Sequence, residues 1–365
     1  MKIAHLADQL FTGTEILSNQ AVLTEEQRIT GIVSASSVPS GYALKKYPGS
    51  LLSPAFIDLQ IYGGNGKLFS HSLDIAALEA THAYCVSGGC HHFMITMATN
   101  SIENFVRGIE VARQYIDSGK KGLLGIHLEG PYINPKKRGA HIESFIKKPT
   151  IEEVQMFLDK GRGIFKMITL APEQCFDAVI RLLIDNGILV SAGHTDATYA
   201  EAMHGFELGI PVATHFFNAM SPLQGRAPGM VGAVYAHGAV GSSIICDGVH
   251  VDFDAVRLSR KILGERLFFI TDAVTDISEG YYHHVFRGDR YTLPDGTLSG
   301  SCMTMISTLK NAVEKAGIPL LEALKMCSRY QADLLKDETL GRIAPGLEAD
   351  FIAICLNDLS LQPLA

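Results

Sequence analysis

From about residue 52 to about residue 275 the chain alternates short apolar runs with longer segments whose apolar residues recur at helical spacing. The runs are "LLSPAFIDLQI", "CHHFMITM", "GLLGIHLEG", "IFKMITL", "GILVSAG", "PVATHFF", "SSIICDG" and "RLFFITD". Each is the length of one strand, and eight such strands are what a closed (β/α)8 barrel requires. Segments such as "IAALEATHAYCVSGG" and "PEQCFDAVIRLLIDNG" predict helices between them, the second ending in a glycine suited to a C-cap. The first fifty residues read differently, as short strand-like pieces broken by turn residues, and that texture returns in "RGDRYTLPDGTLSG" and "RIAPGLEADFIAIC". The pattern therefore predicts an α/β protein. A TIM-like barrel over residues 51–337 carries a small β-sandwich domain built from residues 1–50 and 338–365, with 285–300 as a further contribution.

In such a barrel the chemistry sits at the carboxyl ends of the strands, so polar residues that end apolar runs are the candidates. Glu129 ends the third run and His194 follows the fifth in "SAGHTDATY". His215 lies in "ATHFFNAM", Asp247 and His250 in "CDGVH", and Asp272 ends the eighth run in "FFITDAVTD". One carboxylate and two imidazoles at a barrel mouth suit a divalent ion such as zinc or iron, with a position left for water. A nearby carboxylate such as Asp272 can take that water's proton during attack on a carbonyl. A lone strand-end histidine is more often a hydrogen-bonded structural residue; the convergence of several strand ends is what points to a metal.

Other polar residues read less sharply. His127 shares the inward face with Glu129 one layer deeper, which suits bracing or packing better than ligation. His91 and His92 are neighbours on one strand, face opposite ways, and read as structural. The glycine-rich "YGGNGK" lacks the spacing of a phosphate loop. In "HFFNAMSPLQGRAPGMVGA" the loop offers backbone N–H groups and Arg226 offers a fork for a phosphate, although a solvated surface arginine fits that sequence equally well.

Composition narrows the partners. A chain of 365 residues, 47% hydrophobic and 19% charged, has ample material for one large barrel with an appendage. A net charge of -7 argues against nucleic acid or an anionic membrane surface, leaving small molecules. Seven cysteines without a C-x-x-C pair fit reduced, buried thiols and a cytoplasmic location. The start, "MKIAHLADQLFTG", has no apolar signal-peptide core, and no stretch approaches the roughly 18 apolar residues of a membrane span. The expectation is a soluble, unprocessed protein.

With these residues assembled, the chain resembles the N-acetylglucosamine-6-phosphate deacetylase family of the amidohydrolase superfamily. The resemblance rests on "PAFIDLQIYGG", "HLEGPYINPKKRGAH", "SAGHTDATY", "THFFNAM", "GRAPGMVGA", "CDGVHV", "ITDA", "LSGS" and "GRIAPGLEADF", in that order. It implies metal-dependent hydrolysis of the acetamide of N-acetylglucosamine 6-phosphate in amino-sugar catabolism. It further implies one divalent metal per subunit, zinc first with iron, cobalt or manganese as alternatives, on Glu129, His194 and His215. His141 would lie over the substrate and polarise the acetyl carbonyl, and Asp272 would act as general base and then acid. His250, the backbone at Asn218 and Ala219, and Arg226 would hold the sugar phosphate, in a homodimer whose neighbouring subunit completes the pocket. Two departures stand out: Gln60 and Tyr62 occupy the places of the superfamily's His-x-His, and Ala55 replaces a usual glycine. The competing readings are an amidohydrolase for another N-acetyl amino sugar or a cyclic amide, and a scaffold that has lost catalysis.

Overall fold

The computed structural model describes residues 1–363. Every run named above contributes a barrel strand, although residues 51–54 of the first belong to the terminal sheet: β1 (Phe56–Ile61), β2 (Cys90–Ala98), β3 (Leu123–Glu129), β4 (Phe165–Leu170), β5 (Leu189–Ala192), β6 (Val212–Ala213), β7 (Gly241–Ile244) and β8 (Leu267–Phe269). Neighbours pair in parallel in chain order. The barrel closes just beyond β8. The Asp272 N–H donates to Gln60 O at 3.0 Å and the Tyr62 N–H to Ala273 O at 3.0 Å, so the seam runs through the residues that carry candidate chemistry.

Eight helices alternate with the strands: α1 (Ile75–Ser87), α2 (Ile102–Asp117), α3 (Ile151–Lys160), α4 (Asp177–Asp185), α5 (Tyr199–Glu207), α6 (Gly229–Ala236), α7 (Phe253–Leu263) and α8 (Met305–Glu314). Their starts are written locally. Ser101 caps α2 by accepting from the Asn104 N–H, and Thr198 with Glu201 forms a reciprocal capping box on α5. In α2, Phe105, Ile109, Ala112 and Tyr115 lie three or four residues apart and are all buried against the sheet. The helix predicted from Pro172 starts later, at Asp177, because Pro172–Gln174 forms a separate turn. That turn aims Glu173 inward, where it accepts from Asn134, Thr195 and the Asp196 N–H.

The chain ends make one seven-stranded sheet from Lys2–Phe11, Ile16–Ser18, Gln20–Glu25, Arg28–Ser34, Ala43–Pro54, Phe351–Cys355 and Leu361–Gln362. It folds around Leu10, Val22, Ile29, Tyr47, Leu52, Ile343 and Phe351. The long strand Ala43–Pro54 bears a register shift where Pro48 and Gly49 bulge out, and Gly49 takes the positive φ of 69° that a side chain would resist. The expected contribution of 285–300 to this sheet is corrected: Val285–Phe286, Arg290–Thr292 and Leu298–Ser301 form their own three-stranded sheet. The reason is a backbone tie to the barrel, since the Ser301 N–H donates to Asp272 O at 3.0 Å and the Val274 N–H to Ser301 O at 3.1 Å.

Beneath the barrel mouth lies a buried polar layer. His127 Nε2 is 2.8 Å from Thr169 Oγ1, which is 2.7 Å from Thr214 Oγ1, so His127 braces the interior as its depth predicted. Burial pushes its imidazole down to about 4. His91 and His92 both contact the Asp350 carboxylate, at 2.5 Å each, and tie the returning chain to the barrel's far end. All seven cysteines are free thiols. Among the described residues no helix is long and apolar enough to cross a membrane.

Asp58 joins the first and last barrel strands. Its Oδ1 accepts from the Gln60 N–H at 3.1 Å and the Thr271 N–H at 3.3 Å, and its Oδ2 accepts from the Thr271 hydroxyl. Burial pushes this carboxyl up to about 6, against those donors. Asp58→Ala leaves three buried donors at the seam without an acceptor, and is expected to cost about 2–4 kcal/mol of stability in denaturant unfolding. A loss below roughly 0.5 kcal/mol would show that the seam does not depend on Asp58.

Candidate active site

The strand ends bring Glu129, His194, His215 and Asp272 to one mouth, and the loop after β3 folds His141 over them. All five are buried. His194, His215 and Asp272 each hold a left-handed backbone, with φ of 47°, 36° and 54°. Non-glycine residues take this conformation at a cost of order 1–3 kcal/mol, and it turns each side chain off its strand toward the axis.

The two oxygens of Glu129 are divided. Oε1 lies 3.0 Å from His215 Nε2 and 3.4 Å from His194 Nε2, and those two nitrogens are 3.0 Å apart. Oε2 accepts from the Tyr62 hydroxyl at 2.6 Å and stands 3.0 Å from His141 Nε2. Gln60 Nε2 reaches Glu129 Oε1 at 3.0 Å, Asp272 Oδ1 at 2.9 Å and the Tyr62 hydroxyl at 2.8 Å.

For three of the four rings a hydrogen bond on the far side sets the tautomer. His194 Nδ1 donates to Lys137 O at 2.8 Å, which leaves a lone pair on Nε2. His141 Nδ1 accepts the Thr99 N–H at 3.2 Å, so its hydrogen is on Nε2 and points at Glu129. His250 Nδ1 donates to Asp247 Oδ2 at 2.6 Å, leaving Nε2 to face the cleft. His215 Nδ1 is buried without a partner among the described residues.

Ligand atoms of Glu129, His141 and His194 lie within 4.8 Å of one another, with His215 Nε2 beside them. The tautomers discriminate among the imidazoles. His141 offers a hydrogen, whereas Glu129 Oε1, His194 Nε2 and His215 Nε2 form a triangle with sides of 3.0–3.4 Å. Donors bonded tetrahedrally to zinc at about 2.0–2.1 Å stand roughly 3.3 Å apart, so this donor set fits one divalent cation.

Electrostatics agree. Burial by itself would raise Glu129, but His194 and His141 outweigh it and hold the carboxyl well below its ordinary range. Burial, with Glu129 alongside, holds Asp272 well above its ordinary range, a shift that a cation at the triangle opposes. Burial and then the two carboxylates hold the Tyr62 phenol far up, so it remains a donor. Burial, then His194, pushes His141 down to about 4, so it is neutral near pH 7.

A cleft of about 380 Å³ opens over these groups, lined also by Lys136, Lys137, Asn218, Ala219, His250 and Thr297–Gly300. A larger cavity, about 510 Å³, lies at the other end of the barrel against Arg28, His91 and Arg342, but the chemistry converges on the smaller one. The sequence reading overlooked Lys136, Lys137 and 297–300. The lysine pair in "PKKRGAH" was the available signal, and both ammonium groups flank Asp196. Of the anticipated phosphate contacts, His250, Asn218 and Ala219 line the cleft. The Asn218 N–H already donates to His215 O at 2.9 Å; the Ala219 N–H has no such partner among the described residues. Arg226 is exposed on the loop before α6 and does not line its own chain's cleft.

The amidohydrolase family model matches residues 51–364. The chain belongs to the amidohydrolase family. This amidohydrolase is 32% identical to the N-acetylglucosamine-6-phosphate deacetylase of Haemophilus influenzae, over 98% of the chain and 96% of the relative. It is also 32% identical to an N-acetylgalactosamine-6-phosphate deacetylase of Shewanella, over 83% of the chain and 79% of the relative. The crystal structure of N-acetylglucosamine-6-phosphate deacetylase from Pasteurella multocida superposes with a TM-score of 0.94 at 34% identity, covering 99% of this chain and 97% of that one. The resemblance read from the motifs thus extends over the whole fold.

Proposed function

We propose that this amidohydrolase removes the acetyl group of N-acetyl-D-glucosamine 6-phosphate, giving D-glucosamine 6-phosphate and acetate. The observation that carries the reading is the donor triangle of Glu129, His194 and His215 with Asp272 and the His141 N–H on either side of it. Glu129, His194 and His215 would hold one divalent cation, zinc first. When bound, that ion supplies the charge that acidifies a water, polarises the acetyl oxygen and favours ionised Asp272.

The remaining work falls to the chain. Asp272 accepts a proton from the attacking water as the new C–O bond forms. The His141 Nε2–H donates to the acetyl oxygen while charge gathers there. Asp272 then passes its proton to the amide nitrogen, so the C–N bond breaks to release an amine and acetate. Gln60 Nε2, beside both Glu129 and Asp272, steadies the carboxylate that moves the proton. The Ala219 N–H supports a phosphate at the cleft wall, with His250 beside it, and Arg226, exposed on its own chain, would reach the cleft of a second copy in a cytoplasmic homodimer. Tyr62 and Gln60 stand where a second metal's imidazoles would come from, and a phenol that donates to Glu129 Oε2 is a poor ligand, so one ion is expected.

The function is tested by acetate release from N-acetylglucosamine 6-phosphate against its unphosphorylated form and against the galacto epimer. A large preference for the phosphorylated gluco sugar is expected; indifference to phosphate would refute the substrate assignment. Asp272→Asn should keep one metal per chain, by elemental analysis, and lose roughly 10²- to 10⁴-fold in kcat. Near-normal turnover in that metal-loaded variant would remove Asp272 from the mechanism. Mixing Arg226→Ala with Glu129→Gln protein should restore activity if Arg226 serves the partner's cleft, whereas no recovery after confirmed subunit exchange argues against a shared pocket.

A further inference from the structure

The cavity of about 510 Å³ at the far end of the barrel lies where the returning chain meets the starts of the first three strands. From the barrel come Ala55 just before β1, His91 and His92 at the start of β2, and Gly122 just before β3. The other walls come from Arg28 of the terminal sheet and from the returning chain at Arg342 and Leu347. Its volume falls within the roughly 300–1,000 Å³ that small-molecule sites occupy.

Backbone bonds fix these walls. The Ile29 N–H donates to Leu347 O at 2.9 Å, the Gly346 N–H to Ile29 O at 2.8 Å, and the Ala55 N–H to Asp350 O at 3.2 Å. The chain carries a net charge of -7, yet three cationic side chains, Arg28, Lys121 and Arg342, line this one space. Its two carboxylates are already engaged. Glu348 Oε1 takes the Lys121 ammonium at 2.6 Å, and the Asp350 oxygens contact His91 and His92 at 2.5 Å each.

The arginines are not engaged in this way. Arg28 donates from Nη1 to Gly346 O at 3.0 Å and pairs with no carboxylate among the described residues. The Arg342 guanidinium makes no hydrogen bond among them: its Nε is buried without a partner, and its Nη2 stands 3.6 Å from Asp333. Arg329 Nε already donates to both oxygens of that carboxylate at 2.8 Å. A partly buried guanidinium without acceptors is unfavourable, and an oxyanion that supplies them relieves it. Beside these charges the lining turns to an organic body. The His82 ring stacks on Phe93 with centroids 5.8 Å apart and hydrogen-bonds to nothing among the described residues, while Val86, Leu340 and Leu347 add apolar surface.

We propose that this cavity is a second ligand site that takes a monophosphate ester of a pentose or hexose, with the phosphate on Arg342 and Arg28 and the sugar against His82, Val86 and Leu347. A ligand held there ties the terminal sheet to the barrel and stabilises the fold by mass action. The site stands apart from the cleft at the barrel mouth and does not depend on the deacetylase reading.

The test is calorimetric titration of the native protein with ribose 5-phosphate, ribose and inorganic phosphate. Ribose 5-phosphate should bind at least about tenfold more tightly than inorganic phosphate and raise the thermal unfolding midpoint, whereas ribose should not bind. Arg342→Gln should weaken ribose 5-phosphate binding about tenfold or more, as expected for the loss of a charge-assisted contact. The same variant should keep kcat and KM for N-acetylglucosamine 6-phosphate within about twofold of native. Should Arg342→Gln fail to fold, Arg28→Gln, at an exposed position, takes its place. Unchanged affinity in the folded variant puts the phosphate elsewhere and overturns the site, as does ribose 5-phosphate that binds no better than inorganic phosphate or not at all. Absence of acetate release would bear on the deacetylase reading alone and leave these binding measurements standing.

Discussion

A carboxylate with almost no access to water must have its oxygens met by hydrogen-bond donors or a cation, and Glu129 imposes that requirement on the whole barrel mouth. Oε1 is met by two imidazole nitrogens and Oε2 by a phenol and a third imidazole. Two of the imidazoles are oriented by a bond behind the ring: His194 by Lys137 O, His141 by the Thr99 N–H. The loop from β3 is therefore tied into the site twice, once through the His141 ring and once through a carbonyl. Glu173 braces the same region by holding Asn134 and Thr195 together. Such outer contacts fix ligand geometry before anything binds.

The barrel seam and the chemistry share the same residues. Gln60 gives its carbonyl to the Asp272 N–H and its side-chain amide to the Asp272 and Glu129 carboxylates. Closure of the sheet thus determines how far the Asp272 carboxylate stands from that of Glu129. The left-handed backbones of His194, His215 and Asp272 carry strain that a packed barrel can sustain and an isolated loop cannot.

Tyr62 changes the character of the site relative to the two-histidine pattern of the superfamily. Its hydroxyl serves Glu129 and its ring serves an apolar wall, so one side chain links the position of that carboxylate to the shape of the space beside it.

The eight strands, their order and the residues that end them could be read from the residue pattern alone, because alternation along a strand fixes both the face and the depth of each side chain. Glu129, His194, His215 and Asp272 were legible for that reason, and so was the bracing role of His127. What depends on contacts between distant segments was not legible. No local pattern reveals that Lys137 offers a carbonyl to His194, that residues 285–301 pair with the barrel seam rather than the terminal sheet, or that Arg226 does not line its own cleft. Nor could spacing separate ligand from donor among three histidines. What distinguishes His141 from His194 is a backbone N–H on one ring and a backbone carbonyl on the other, and both arrive only when the chain has closed on itself.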